Sequence, residues 1–134
     1  MGSCQYEEKA KVLTTVKSLY EEARKNTLIK MAESLGTRIE EYVKELTDGR
    51  YKKVEVSPDG LSIQVYSDEK GDFVDIDKEL STGTRDQIYL AARLAMIPTA
   101  ANGRKPPLIL DDSLVYFDSN RRYRAFDVVT SSPQ

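Results

Sequence analysis

The sequence predicts a mixed fold of the α/β type, an α+β fragment, and three patterns predict it. The charged stretch 6–46 lacks proline and is typical of a long helix. Alternating apolar and polar runs separated by turn residues follow it and are typical of antiparallel strands. An apolar helical run and a short continuous apolar run, 107–110, come last. The 134 residues are one domain's worth of chain, divided into a helical segment, 1–48, and a lobe, 49–134.

The long helix carries two sets of apolar residues at heptad spacing. The inner set comprises Leu28, Ala32, Leu35, Ile39, Tyr42 and Leu46, and the outer set comprises Val12, Val16, Leu19 and Ala23. The two sets are out of phase, so we predict that the helix bends or restarts within 22–27. The pattern fits two alternative interpretations: an amphipathic helix that packs on its own domain, or the base of a coiled-coil arm.

A small sheet is predicted after the helix, which Asp48 and Gly49 end. The alternating runs 51–56 and 61–66 flank the turn sequence 57–60, which predicts a β-hairpin. A third strand is predicted over 73–76, and 77–79 then leads into the next turn. We interpret Tyr51 and Tyr66 as packing residues of the sheet, because aromatic residues are common in strands.

The next turn has the composition of an anion-binding helix start. Ser81, Thr82 and Gly83 precede an apolar helical run that Pro98 is expected to end, with a surface loop over 99–105. A serine or threonine at this place accepts hydrogen bonds from free backbone N–H groups. The same groups bind anions, and a glycine lets a phosphate approach the backbone. The alternative is a plain N-cap of a buried helix.

Two carboxylates follow the last apolar run. Residues 107–110 have the pattern of a strand buried on both faces of a parallel sheet, and Asp111 and Asp112 come at its carboxyl end. Alternation would point the two side chains to opposite sides, so one could hold Mg²⁺ while the other polarises a water. The alternative is a solvated turn. A last helix is expected over 121–129, capped by Ser119 or Asn120, before a frayed tail.

Composition narrows the classes of function. The net charge is −2 and the isoelectric point is about 5.3, which gives no global electrostatic case for nucleic-acid binding. The single Cys4 fits a reducing cytoplasm, and no apolar run has the length of a membrane span. Because the chain has no His, the Ser-His-Asp and Cys-His sites are excluded and zinc sites are unsupported. A phosphoesterase using Asp111 and Asp112 would lack the further ligands of a two-metal site.

Two motifs of the sequence resemble motifs of a known class of proteins. LSTGTRDQIYLAARLA, residues 80–95, resembles the signature of ABC-class ATPases in the form found in SMC/SbcC/YhaN-like coiled-coil ATPases. PLILDDSLVYFD, residues 107–118, is similar to the Walker B strand and D-loop of that group, and Arg121 or Arg122 follows in the expected place. The sequence contains no G-x-x-x-x-G-K-[ST] phosphate loop. The chain thus resembles the carboxyl-terminal part of an ATPase head, truncated before the strand that carries the switch His.

The resemblance implies a role for each motif residue. Ser81, Thr82 and Gly83 would bind the γ-phosphate of a nucleotide held by a second head in an ATP-bridged dimer. Asp111 would support Mg²⁺, and Asp112 would be the general base. Asp118 would cross the dimer interface as the D-loop acid.

The same resemblance implies the ligands and the partners. ATP and Mg²⁺ would bind only with the missing amino-terminal half of the head. DNA is a further expected partner, and a membrane is not expected as one. The chain departs from the family pattern at Thr82, at Thr84 and at Asp112, which is one methylene shorter than the usual Glu. The alternative function, from a different class, is a non-catalytic coiled-coil interaction module.

Overall fold

The computed structural model describes residues 2–59 and 62–132. Its helices are α1 (Gly2–Leu46), α2 (Ile76–Glu79), α3 (Thr82–Ala101) and α4 (Ser119–Ser131). Its strands are β1 (Val54–Val56), β2 (Ile63–Ser67) and β3 (Asp72–Asp75), which form one antiparallel sheet in the order β1-β2-β3. The predicted α+β class is therefore confirmed. Over these described ranges, no helix combines the length and the hydrophobicity that a bilayer span requires.

Helix α1 runs without interruption through 22–27, so the predicted bend or restart is wrong. Residues 22–27 contain no proline or glycine and include several good helix formers, so the helix continues through them. The two apolar sets therefore lie on different sides of one continuous helix. The five-residue step from Ala23 to Leu28 turns the stripe by about 140° around the helix. The inner half of α1 buries Ala32, Ile39, Val43 and Leu46, whereas the outer set faces solvent.

The sheet is shorter than the sequence predicted. Val54, Val65 and Val74 pair across the three strands and bury their side chains in the core. The predicted third strand is wrong at Ile76, which begins α2 because the Asp75 carboxylate accepts a hydrogen bond from the Asp77 N–H at 2.9 Å. Gly60 and Leu61 of the predicted hairpin lie outside the described residues.

Helix α3 begins where the sequence predicted but continues beyond its proline. Ser81 is the N-cap, as expected, and Pro98 lies inside the helix, which ends at Ala101 with Asn102 in the left-handed conformation. The expected end at Pro98 is therefore wrong. Proline removes one backbone hydrogen bond near the carboxyl end of a helix whose preceding two turns are already fixed by buried side chains, among them Leu94 and Ala95.

The predicted Walker B strand is not formed within the described residues. Residues 107–110 are irregular, Ile109 is 84% exposed, and Leu108 and Leu110 pack only partly against the core. A strand buried on both faces needs hydrogen-bonded neighbours, and this stretch pairs with no other described strand.

Helix α4 is capped by Asp118 instead of Ser119 or Asn120 and extends to Ser131, while Pro133 and Gln134 of the tail lie outside the described residues.

Hydrogen bonds fix α3 and α4 on the carboxyl end of α1. The buried Gln87 side chain of α3 donates to the Leu46 carbonyl oxygen at 2.6 Å. Arg124 of α4 donates to Asp48 at 2.7 Å, and the Tyr42 and Ser132 hydroxyl groups lie 3.0 Å apart. Helix α3 is therefore joined to the carboxyl end of α1 through Gln87, and the α4 region is joined to it through Arg124 and Ser132.

Candidate nucleotide site at the start of α3

The signature turn, residues 80–84, is a capped helix start. The Ser81 hydroxyl accepts a hydrogen bond from the Thr84 N–H at 3.4 Å and lies 2.9 Å from the Thr84 hydroxyl. Ser81 and Thr82 are exposed, whereas Gly83 and Thr84 are buried. The turn thus presents two hydroxyl side chains at the positive end of a helix dipole, an arrangement that favours an anion.

Polar contacts hold the chain that leads into this turn. The Tyr89 hydroxyl of α3 donates to the Asp77 carboxylate at 2.7 Å, and Lys70 pairs with Glu79. The hydrogen bond to Asp77, with partial burial, raises the pKa of Tyr89, and the hydrogen bond from Lys70 lowers the pKa of Glu79. Both contacts tie α2 to neighbouring elements just before the chain reaches the signature turn.

The D-loop segment, residues 113–118, lies against the signature turn. A Cβ atom at position 83 would collide with the Arg121 guanidinium and lie 3.0 Å from the Tyr116 carbonyl oxygen. Asp118 accepts a hydrogen bond from the Arg121 N–H at 2.8 Å, and its second oxygen lies 3.7 Å from Arg121 Nε. The structure therefore brings Gly83 and Asp118 together through Arg121.

Sequence reasoning missed the contact between Arg121 and Gly83. The sequence places Arg121 after the D-loop but gives no sign of where its side chain lies. The available signal was Gly83 itself, because a glycine in the first turn of an otherwise apolar helix marks a close approach.

Asp111 and Asp112 lie on an exposed turn. Asp112 adopts a left-handed conformation with φ of 51°, which a non-glycine residue rarely adopts. The Val115 N–H donates to the Asp112 carbonyl at 3.4 Å, and the buried Phe117 anchors the end of the turn. Because no strand forms here, the expected alternation of the two carboxylates does not apply.

The two carboxylates supply oxygen ligands of the kind that Mg²⁺ takes, and Mg²⁺ is commonly bound through one or two carboxylates with waters completing its shell. Among residues 2–59 and 62–132, no three His, Cys, Asp or Glu side chains converge on a point that could hold a metal. Asp111 and Asp112 are adjacent exposed carboxylates of this turn, and the role of Asp111 at a metal stays a prediction.

Comparison with known proteins gives one informative similarity. No protein-family model matches the sequence. Over 118 residues, 88% of the chain, it is 34% identical to a protein of Bacillus subtilis (strain 168) described as "Uncharacterized protein YhaN". The chain spans 12% of the length of that relative. The matched stretch is therefore similar to one short part of a much larger protein, whose name is one of those in the family that the motifs resemble.

Proposed function

We propose that this chain is the carboxyl-terminal part of the head of an SMC-like ATPase. The observation that carries the proposal is the packing of the D-loop segment on Gly83 of the signature turn, which joins two separate motifs into one surface. The similarity to part of YhaN supports the same proposal. The head would act in DNA repair or chromosome maintenance, coupling ATP-dependent closure to work on DNA.

In this proposal the chain contributes one half of a nucleotide site. Ser81, Thr82 and the Gly83 backbone hold the γ-phosphate of ATP bound to a second head, because the free backbone N–H groups and the dipole of a helix start favour an anion. Asp111 supports Mg²⁺, and Asp112 takes up the proton of the attacking water. ATP and Mg²⁺ require the amino-terminal half of the head, which supplies the phosphate loop.

The first test is reconstitution with the amino-terminal segment of the parent head. We expect the mixture to bind and hydrolyse ATP, and Asp112→Asn to abolish hydrolysis while ATP binding is retained, because the amide cannot accept the proton. Binding is measured by calorimetry and turnover by phosphate release. Asp127→Asn on the exposed side of α4 is the matched control and should leave both unchanged. Unchanged turnover in Asp112→Asn would refute the role of Asp112.

A second candidate function is a non-catalytic coiled-coil interaction module, and the outer half of α1 favours it. Val12, Val16 and Leu19 are between 56% and 61% exposed, although they recur on one side of the helix. A continuous exposed apolar stripe on a helix is a surface that a second helix can cover.

The variant Val16→Asp tests this alternative. We expect concentration-dependent self-association or partner binding to disappear, because a charge enters the apolar stripe. Thr14→Asp is the control, since it introduces the same charge about 160° away around the helix. Leu35→Asp is less suitable, because Leu35 packs against the core and its replacement would also lower the stability of the body. Sedimentation that is identical for wild type and Val16→Asp would count against the module.

A further inference from the structure

Arg121 occupies an unusual place for a cation. Its guanidinium group packs on Gly83 in the first turn of α3, and its own backbone lies in the first turn of α4. Its side chain is only 26% exposed and has one ion-pair partner among the described residues, Asp118, at 3.7 Å. The starts of two long helices and one arginine therefore meet at the signature turn.

The electrostatics of this place favour an anion. The amino-terminal end of a helix carries a partial positive charge, so a guanidinium group beside two such ends is unfavourable by itself. The Asp118 carboxylate offsets part of this positive charge from one side. A phosphate at the signature turn would interact favourably with both helix ends, and a guanidinium group binds phosphate through two parallel hydrogen bonds.

We propose that Arg121 is a second phosphate-binding side chain of the signature turn, and that it exchanges its contact with Asp118 for the γ-phosphate. This inference rests on the proposed function, because it assigns a further ligand contact to the same nucleotide site. It has two consequences: Arg121 discriminates ATP from ADP, and its movement frees for the dimer interface the Asp118 oxygen that does not cap α4.

The test is a titration with MgATP and with MgADP, followed by nuclear magnetic resonance of the isotope-labelled 134-residue chain in its mixture with the amino-terminal segment of the parent head. The signals to follow are the backbone amides of Ser81 and Gly83 and the Nε–H of Arg121. We expect MgATP to shift all three signals at concentrations where MgADP does not. Arg121→Ala should weaken MgATP binding by about tenfold or more, since hydrogen bonds to charged groups are lost.

Two further variants separate geometry from charge. Arg121→Lys keeps the charge but lacks the planar fork, so it should bind ATP with an affinity between wild type and Arg121→Ala. Arg122→Ala removes the same charge from an exposed neighbour and should leave the affinity unchanged. The amide signals of buried residues such as Val65 and Ile88 report whether each variant keeps its fold.

The possible failures are distinguishable. If MgATP shifts Ser81 and Gly83 equally in wild type and Arg121→Ala, the inference is wrong and the proposed function stands. Equal losses in Arg121→Ala and Arg122→Ala would also overturn the inference, because they would reflect general electrostatics. If the mixture binds MgATP but the signals of Ser81 and Gly83 of the wild type stay unmoved, both the nucleotide site and the role of Arg121 are refuted.

Discussion

A side chain at position 83 would compete for space with two other groups. A Cβ atom would meet the Arg121 guanidinium and the Tyr116 carbonyl oxygen. We expect Gly83→Ala to lower the free energy of unfolding by about 1–3 kcal/mol, the usual cost of overpacking, measured by urea unfolding. Gly2→Ala is the control, since a Cβ there makes only an ordinary contact with Tyr6.

A double-mutant cycle tests whether Arg121 causes the cost of Gly83→Ala. The cost of Gly83→Ala should shrink in an Arg121→Ala background, although the Tyr116 carbonyl would still contribute part of it. An undiminished cost would show that Arg121 does not create the requirement for glycine.

Tyr89 makes stability depend on pH in the alkaline range. Its hydrogen bond to Asp77 raises its pKa in the folded protein above the unfolded value of about 10. The stabilisation is therefore fully present below pH 10 and is lost as the pH rises through the folded pKa. We expect the stability difference between wild type and Tyr89→Phe, from urea unfolding, to decline above about pH 10.

The exposed Tyr123 supplies the control for this pH effect. Tyr123→Phe makes the same exchange at a side chain that is 73% exposed and that donates to no carboxylate among the described residues. Asp77→Asn should also lower the pKa of Tyr89 in a spectrophotometric titration. An unchanged titration would refute the assigned cause of the shift.

At the level of elements, one buried side chain joins α3 to α1. Gln87 donates to the Leu46 carbonyl, one of the last carbonyl groups of α1, which have no partner within the helix. We expect Gln87→Met to cost about 1–3 kcal/mol in urea unfolding, since a buried carbonyl loses its donor while the side-chain length is kept.

The same exchange at an exposed glutamine isolates this hydrogen bond. Gln5→Met on the outer half of α1 changes the same groups without removing a tertiary contact, so its unfolding midpoint should match the wild type. Equal midpoints for both variants would mean that water or another donor replaces Gln87.

Sequence patterns predicted the elements that depend on local chemistry. Ser81 as the cap of α3 and the inner apolar stripe of α1 follow from side chains near one another in sequence. The prediction of a strand over residues 107–110 is wrong because a strand depends on partners elsewhere in the chain. The prediction that α3 ends at Pro98 is wrong because tertiary packing already fixes the preceding turns. The Arg121 contact has the same non-local origin, so the sequence indicated Gly83 but not its neighbour.

For the whole molecule, the packed body and the outer half of α1 are separate. Residues 2–28 are exposed along their whole length, while the core joins the inner half of α1 to the sheet, α3 and α4. Tertiary packing, which gives most helices their stability, is therefore missing from the outer half. Fraying of this half should leave the body intact.

Deletion of residues 1–26 tests this separation. We expect the urea midpoint and its slope to stay unchanged, because the slope follows the surface newly exposed on unfolding and residues 2–26 are already exposed. Helical circular dichroism should fall in proportion to the residues removed. Deletion of 1–38 should lower the midpoint, since it also removes the buried Ala32 and Gly36. A lower midpoint for the shorter deletion would mean that the outer half supports the body. If that loss also depended on protein concentration, the support would come from association between chains, since the stability of an associating protein depends on its concentration.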